Sequence, residues 1–586
     1  LQPFHFEGDP LEVEVEPGLL VVFRADQLSR RFFAMPGPGG CTSLSCFFSV
    51  RRHNGAVSES TIPPPAWELL QWVKNHLAKL KAMYVEKEEE EEGLGERTLK
   101  IPDNWKLAMN HLYSRGSEVP ISVKSLACRF PAAFLADSFW AGVGIGTDFA
   151  TEIPQNRFRW YEWYDGDLES HKWYKSYTMH GVFIDGAELF DNKFFGVSIM
   201  EAAGMDPTQY TLLEAGYEAL HLAGFRKKTL MNALVGVYVG QGQVETAPRE
   251  GGGGMGGTGA ARAVSCGRIS FALGMQGPCC AIDAHGATAF ACIEVGYQSL
   301  RHQAKHFKTA ISGSVMLTFS PMGYVSCCAA GVLSPLGRCC TFDGSAMGYV
   351  KSEGCGFACL QNSDVVDGEV VVEDENDRLG VLCAVQIASL GRAARLGAPS
   401  APAEQEVVAD ALRGAELAPH NVEFVECVGD ADLLSDAVEA GYLSKCMRWE
   451  APGEKPLQLG AVMSQVGFMR EAAGFAQLLK VLGSLTYGLL AGNLHLLQTN
   501  PHIDEGALDS LNLATERVPC RLPTNFAGIT SRGAGGTVTH AIVGVHAKGQ
   551  QLPHCLPTKP PGPPRERIAF WPAGGGLLEE EDEPTM

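Results

Sequence analysis

Hydrophobic and polar positions divide the chain into four stretches of different rhythm. In residues 1–50, Leu11-Glu12-Val13-Glu14-Val15-Glu16 alternates with period two, the pattern of a strand with one buried face. Pro17-Gly18 predicts a turn, Leu19 to Arg24 a second strand and residues 42–50 a third. In residues 51–119 the period lengthens. Trp67, Leu69, Leu70, Trp72, Val73, Leu77 and Leu80 mark an amphipathic helix over 61–84, beginning at Pro63-Pro64-Pro65. A second helical stretch covers 104–114, and the two read as an arm that joins modules. From Pro120 to about Val545 strands, helices and Gly-rich corners alternate, the rhythm of an α/β domain. Residues 546–586 are Pro-rich from Leu552 to Pro564. They offer Arg567-Ile568-Ala569-Phe570-Trp571-Pro572 as a last strand and end in an acidic tail. There is no repeat at a solenoid period.

Within the α/β stretch, residues 277–290 set the organisation. Residues 278–283 read as a short strand, Asp283 to Gly286 as a tight corner, and the small residues after it as a helix start. A sharp strand-to-helix corner lifts one side chain above a helix N-terminus, where the dipole stabilises a thiolate or an oxyanion. The apex here is Gly286, which has no side chain. The Gly-rich run 251–257 reads as a loop rather than a phosphate cradle, because no Lys-Ser/Thr follows it.

Composition narrows the classes. The 586 residues are enough for a sizeable core, and no apolar run is long enough to span a bilayer. The net charge of −20, much of it in the runs 88–92 and 579–583, argues against nucleic acid and anionic membrane surfaces. The 18 cysteines include the adjacent pairs Cys279-Cys280, Cys327-Cys328 and Cys339-Cys340, and none has zinc-site spacing. A chain of this size needs no disulfide framework, so they are expected to be buried free thiols in a reducing compartment, cytoplasm or plastid. The chain begins at Leu1 without a Met, so a targeting segment would be out of view.

Two resemblances follow. The strands of residues 1–50 weakly resemble the C-terminal part of an iron/2-oxoglutarate oxygenase barrel. Its ligand stretch reads here Phe23-Arg24-Ala25-Asp26-Gln27-Leu28-Ser29-Arg30. Arg30 stands where that family has its second iron-binding His, and Arg cannot ligate a cation, so no iron is expected.

The stretch 120–545 resembles the β-ketoacyl synthase (ketosynthase) domain of type I polyketide and fatty acid synthases. Its landmarks fall in order. They are Leu126-Ala127-Cys128-Arg129-Phe130-Pro131, Phe190-Asp191-Asn192-Lys193-Phe194-Phe195-Gly196-Val197-Ser198, Met205-Asp206-Pro207-Thr208-Gln209, Gly267-Arg268-Ile269-Ser270 and Leu333-Ser334-Pro335. Gly337-Arg338-Cys339-Cys340-Thr341-Phe342-Asp343, Gly348-Tyr349-Val350 and Gly533-Ala534-Gly535-Gly536-Thr537 with His540 complete the set. The resemblance implies an α/β, thiolase-like, five-layered αβαβα fold, preceded by a small β-rich fragment and a helical arm.

Members of that family condense acyl units with a Cys nucleophile and two His residues, the second with a nearby Lys. The nucleophile corner reads here Asp283-Ala284-His285-Gly286-Ala287-Thr288, so the Cys position is Gly286. The first His segment reads Val428-Gly429-Asp430-Ala431-Asp432, so that His is Val428. The last reads Met463-Ser464-Gln465-Val466-Gly467-Phe468, which puts Met463 at the Lys and Phe468 at the second His. All four replacements lack a nucleophile, donor or acceptor suited to the reaction. Cys279 and Cys280 do not substitute, being ~20 Å from Gly286 at about 3.3 Å per strand residue and expected to face the interior or a neighbouring strand. His285 is expected to be a satisfied structural histidine, and His540, which matches a family position outside the condensing triad, a structural one.

The sequence thus predicts a catalytically inactive ketosynthase-like protein kept as a structural or binding subunit, with no cofactor and no metal. The alternative is a partner of an active ketosynthase resembling a chain-length factor, and an active enzyme with relocated groups is the remotest reading. Expected partners are a second ketosynthase-like chain, the same or different, pairing through strand 278–283. A larger complex and an acyl carrier protein are also expected; nucleic acid is not.

Overall fold

The structure, a computed structural model, describes residues 2–3, 28–29, 121–242, 256–302, 308–362, 364–366, 369–371, 379–448, 456–519 and 526–545. Contacts divide the chain into two units, Leu1–Leu99 and Lys100–Met586. In the first, the described strands Gln2–Pro3 and Leu28–Ser29 pair antiparallel. The expected strands at 11–16, 19–24 and 42–50, Arg30, the helices at 61–84 and 104–114, the two acidic runs and the C-terminal extension lie outside the described residues.

The second unit is built on eleven strands: β1 Ile121–Arg129, β2 Val235–Gln241, β3 Cys279–Ile282, β4 Thr309–Met316, β5 Gly354–Asn362, β6 Gly380–Ser389, β7 Val422–Glu426, β8 Leu457–Gly460, β9 Leu511–Leu513, β10 Phe526–Arg532 and β11 Thr537–Gly544. Their hydrogen-bonded order is β9-β8-β7-β10-β11-β6-β1-β5-β4-β2-β3. The order repeats a theme. In the first half β3, β2 and β4 run parallel, and β5 and β1 follow antiparallel. In the second half β9, β8, β7 and β10 run parallel, and β11 and β6 follow antiparallel. Within the sheet, the halves meet at three residue pairs among the described residues, from Gly380↔Val123 to Leu382↔Ile121.

Helices cover both faces of each half. Helices α1 (Pro207–Leu222) and α2 (Arg262–Leu273) lie outside the first half, and α4 (Ala401–Ala415) and α5 (Leu433–Arg448) outside the second. Helices α3 (Thr288–His302) and α6 (Ala473–Tyr487) lie between the halves and touch each other. The hydrophobic clusters follow these layers. One joins α1 and α2 to the first half, one joins α4 and α5 to the second, and the central one gathers Phe290, Ile293, Phe475 and Leu479 from α3 and α6. Because both faces are covered, β2 and β4 are buried along their whole length, and the buried Ser312 and Ser314 hydroxyls of β4 donate to Cys292 O at 3.0 Å and Glu471 O at 2.7 Å. This is the expected thiolase-like α/β architecture.

Two local expectations are corrected. Cys279 and Cys280 are exposed, not turned inward, because β3 is an edge strand paired only with β2. Of the other twelve described cysteines ten are buried, and all fourteen are free thiols. The Gly-rich run is not loop throughout: Gly256–Gly259 forms one helical turn, and residues 251–255 lie outside the described set.

Candidate active site

The corner forms where the sequence places it. Strand β3 ends at Ile282, His285–Ala287 makes one 3₁₀ turn, and α3 begins at Thr288. The Ala284 N–H donates to Thr288 Oγ1 at 2.8 Å and the His285 N–H to Asp283 Oδ1 at 3.3 Å, which fixes the turn. His285 has a φ of +53°, a left-handed conformation that costs a non-glycine residue about 1–2 kcal/mol.

At the apex Gly286 is buried. A Cβ there would lie 2.3 Å from the carbonyl oxygen of Arg532 and 3.0 Å from Phe468 Cζ. The first contact is with backbone, which cannot rotate away. Glycine is therefore required for space, and the volume a nucleophile would need is filled from two sides.

Phe468 supplies one side. Its backbone is clamped by Phe468 N–H to Val350 O at 2.8 Å and Ser352 N–H to Phe468 O at 3.1 Å. Its ring stands edge-on to Tyr349, with centroids 4.8 Å apart, and clusters with Met463, Val182, Val350 and Ala431. Met463 and Val428 then line one small cavity with Val462, Val466 and Gln477. Its room for water centres is ≈ 10 Å³, at the lower limit for a single water. The four sequence-predicted positions therefore do converge: Gly286 meets Phe468, Phe468 packs with Met463, and Met463 shares the cavity with Val428. The Gln477 side chain on this wall is already engaged. It donates to Cys427 O and Thr530 O at 2.8 and 3.0 Å and accepts from Ser531 Oγ at 2.6 Å.

The other side is charged, and the sequence reading missed it. Arg532, at the end of β10, is buried, and its guanidinium donates to Glu404 at 3.1 Å, to Ser435 Oγ at 2.6 Å and to the Asp430 carboxylate. Burial works against that charge, but Asp430, Glu404 and Glu439 outweigh it and raise its pKa. Glu439 accepts the N–H groups of Val428 and Gly429 at 2.8 and 3.1 Å, and burial pushes its carboxyl up to about 7 against the pull of Arg532. A second buried pair, Lys480–Glu426 at 2.8 Å, sits behind the cavity, with Glu426 also accepting the Val462 N–H. The available signal was an Arg closing the strand Phe526–Arg532 and the acids Asp430, Asp436 and Glu439 after Val428. A buried charge of that kind demands partners.

His285 is not the satisfied histidine expected. Its Nδ1 is buried without a hydrogen-bond partner, and its ring centroid lies 5.8 Å from that of Phe468. Burial, reinforced by Arg470, lowers its pKa to about 4 against Asp283 and Asp430, so the imidazole is neutral at pH 7. His540 is buried, its Nδ1 3.0 Å from Thr530 Oγ1, but its Nε2 has no partner. Cys339 belongs to the same hydrophobic cluster as Phe468. Burial pushes it up to about 12, and its sulfur accepts the Val350 N–H at 3.1 Å. At pH 7 its thiolate fraction would be on the order of 10⁻⁵, too small for a nucleophile. Among the described residues no three His, Cys, Asp or Glu side chains group as metal ligands.

Family models match most of this unit: β-ketoacyl synthase, N-terminal domain, over residues 118–365, and β-ketoacyl synthase, C-terminal domain, over 379–497. A phenolphthiocerol/phthiocerol polyketide synthase polypeptide of Mycobacterium tuberculosis is 32% identical over 433 residues, 72% of this chain and 23% of that protein. Another polypeptide of the synthase of that name, from Mycobacterium bovis, is 31% identical over 440 residues, 74% of this chain and 23% of its own. The chain thus spans about a quarter of the length of these relatives. Among solved structures, the ketosynthase from module 6 of the bacillaene synthase of Bacillus subtilis 168 superposes with a TM-score of 0.66 at 28% identity, covering 73% of this chain and 72% of that one. An oxazolomycin ketosynthase domain of Streptomyces albus, at 24% identity and a TM-score of 0.66, shares the fold.

Proposed function

The chain belongs to the β-ketoacyl synthase family, and from that premise we propose that it is a non-condensing member, retained as a structural or binding subunit. The observation that carries this reading is the filled apex: a Cβ at Gly286 would meet a backbone oxygen at 2.3 Å. Substituting Val428, Met463 and Phe468 for polar groups leaves nothing to decarboxylate malonyl or hold an oxyanion, and groups that act as a unit fail together. The test is incubation of the purified protein with acyl and malonyl thioesters of acyl carrier protein. Expected are no acylated protein, no carbon dioxide and no condensed product. Turnover that copurifies with the chain would overturn the reading.

The working surface of such a protein is its exposed edge. Strand β3 offers unpaired backbone groups beside Cys279 and Cys280, and an open edge is a template for another strand. The partner is a second ketosynthase-like chain, either a copy or an active relative as in chain-length-factor pairs. Ala281→Pro removes a backbone donor there, so the variant is expected to lose its partner in light scattering. A wild-type chain monomeric at micromolar concentration, alone and in extracts of its source, would refute the pairing. The free thiols suit a reducing compartment. No described helix is long and apolar enough to cross a membrane.

A further inference from the structure

Exposed aromatic rings are concentrated in one loop. Of the seven exposed aromatic side chains among the described residues, Tyr161, Tyr164, Trp173 and Tyr174 fall within fourteen residues, and Trp173 is 77% exposed. Solvent-facing rings on a loose loop would be unremarkable; this loop is held firmly. Its base is Arg157, which donates through Nε and Nη2 to the Glu353 carboxylate at 2.8 Å each and through Nη2 to Ile184 O at 2.8 Å. Its two arms are tied by Ser176 N–H to Trp163 O at 2.7 Å and Asp165 N–H to Ser176 O at 3.0 Å. Trp160 braces Tyr161 and Tyr164 edge-to-face at 6.2 and 5.8 Å. Tyr174 takes a φ of +57° at the end of the 3₁₀ turn Ser170–Trp173, so backbone strain is accepted where the two outermost rings are presented.

The charges beside the rings are unevenly matched. Glu162 and Glu169 meet Arg159 and Lys172, whereas Asp165 and Asp167, both exposed, have no ion-pair partner among the described residues. The surface is thus an aromatic platform with two uncompensated carboxylates.

The chain itself contains a segment of complementary chemistry. Pro557, Pro560 and Pro563 recur at every third position, and Arg565 and Arg567 follow. A polyproline II helix has three residues per turn, so these three prolines would share one edge with no internal hydrogen bond to give up. Proline edges of this kind dock on aromatic surfaces, and their low conformational entropy makes that docking inexpensive. The segment starts twelve residues after Val545, the last described position. At about 3.3 Å per residue that tether reaches roughly 40 Å, against a radius of gyration of roughly 22 Å for a domain of this size.

We propose that Tyr161, Tyr164, Trp173 and Tyr174 dock the chain's own segment 557–567, with the prolines on the rings and Arg565 and Arg567 on Asp165 and Asp167. The inference is independent of whether the apex is catalytic. Docking shields the bond after Arg567 from trypsin, and release of peptide 568–586 reads it in the full-length chain by mass spectrometry. The double variant W173A/Y174A is expected to release the peptide about tenfold faster than wild type, and P557S/P563S, which creates no new tryptic site, equally so. Both should keep the wild-type Tm, because the substituted rings are exposed and the prolines lie outside the described fold. In 0.5 M salt, where screening shortens to about 4 Å, wild-type release should rise toward the variants' rate. Equal release from wild type and both variants would overturn the proposal. So would acceleration by substituting Pro63–Pro65, the other proline cluster, in place of Pro557 and Pro563.

Discussion

The two sides of Gly286 are closed by opposite means. On one side Phe468, Met463 and Val428 fill the space with apolar groups. On the other Arg532 is buried among Glu404, Asp430, Ser435 and Glu439, and its carbonyl covers the apex. The apolar side needs only volume. The charged side has taken ions out of water at a cost of several kcal/mol each, repaid only while every partner is present. The comparison teaches that an apex is simple to fill when dispersion does the filling. Closing the site with a salt-bridged strand end instead ties its shape to a network that cannot be dismantled piecemeal.

The largest effect is therefore expected on the charged side. Arg532→Met keeps much of the volume but strands Glu404 and Asp430 without their cation. Breaking a buried pair from one end costs about 3–5 kcal/mol, so denaturant unfolding should show a loss of that order. A loss under about 1 kcal/mol would mean that the network is decorative and erase the contrast.

Gly286→Cys comes next, because it pushes on both sides at once. The new Cβ needs the Arg532 carbonyl to retreat from 2.3 Å and the Phe468 ring from 3.0 Å. Overpacking of a tight site costs about 1–3 kcal/mol. Adding Phe468→Ala should relieve only part of the loss, since the backbone clash remains. Neither variant is expected to condense acyl thioesters. Full recovery of stability with Phe468→Ala would show that the ring, rather than the strand end, closes the apex.

The third test uses pH. His285 titrates near 6.5 when unfolded and at about 4 when folded, with Arg470, Lys351, Asp283 and Asp430 around it. Between those values the unfolded chain binds the extra proton, so stability falls as pH drops from 6.5 to 4. His285→Asn removes that contribution. The stability difference between wild type and variant should shift against wild type by about 2 kcal/mol across the window. Glu439 and Glu294, both raised to about 7 by burial, act in the opposite sense between about 4.5 and 7, in both proteins, and cancel in the difference. Parallel curves would place the imidazole in water.

How much of this was legible beforehand follows from the same physics. The α/β unit and its corner were readable from local pattern, whereas the choice of Gly286, Val428, Met463 and Phe468 came from the resemblance of their segments to ketosynthase motifs, not from local chemistry. Exposure of Cys279 and Cys280 was not, because strand period gives the alternation of faces but not which strand ends a sheet. The partnerless Nδ1 of His285 was not, because hydrogen bonding at a left-handed residue depends on what the fold brings against it. The Arg532 network was hardest of all. Its members are separated by as many as 128 positions, from Glu404 to Arg532, and each looks like an ordinary charged residue until the fold buries it.

The smallest effect is expected on the apolar side. Met463→Leu nearly conserves volume, and such swaps usually cost less than about 1.5 kcal/mol. Its neighbours Val462 and Val466 are apolar, and the cavity beside them leaves a little slack for the branched side chain. Val428→Thr is the control of nearly equal shape. Its hydroxyl would enter the same cavity, where Gln477 already donates to Cys427 O and Thr530 O and accepts from Ser531 Oγ. An unpaired buried hydroxyl costs about 1–3 kcal/mol, so Val428→Thr should unfold more readily than Met463→Leu in the same denaturant series. If the two variants unfold together, the cavity holds water or a polar ligand that satisfies the new group. In that case the apolar side is still a pocket, and only the charged side has closed.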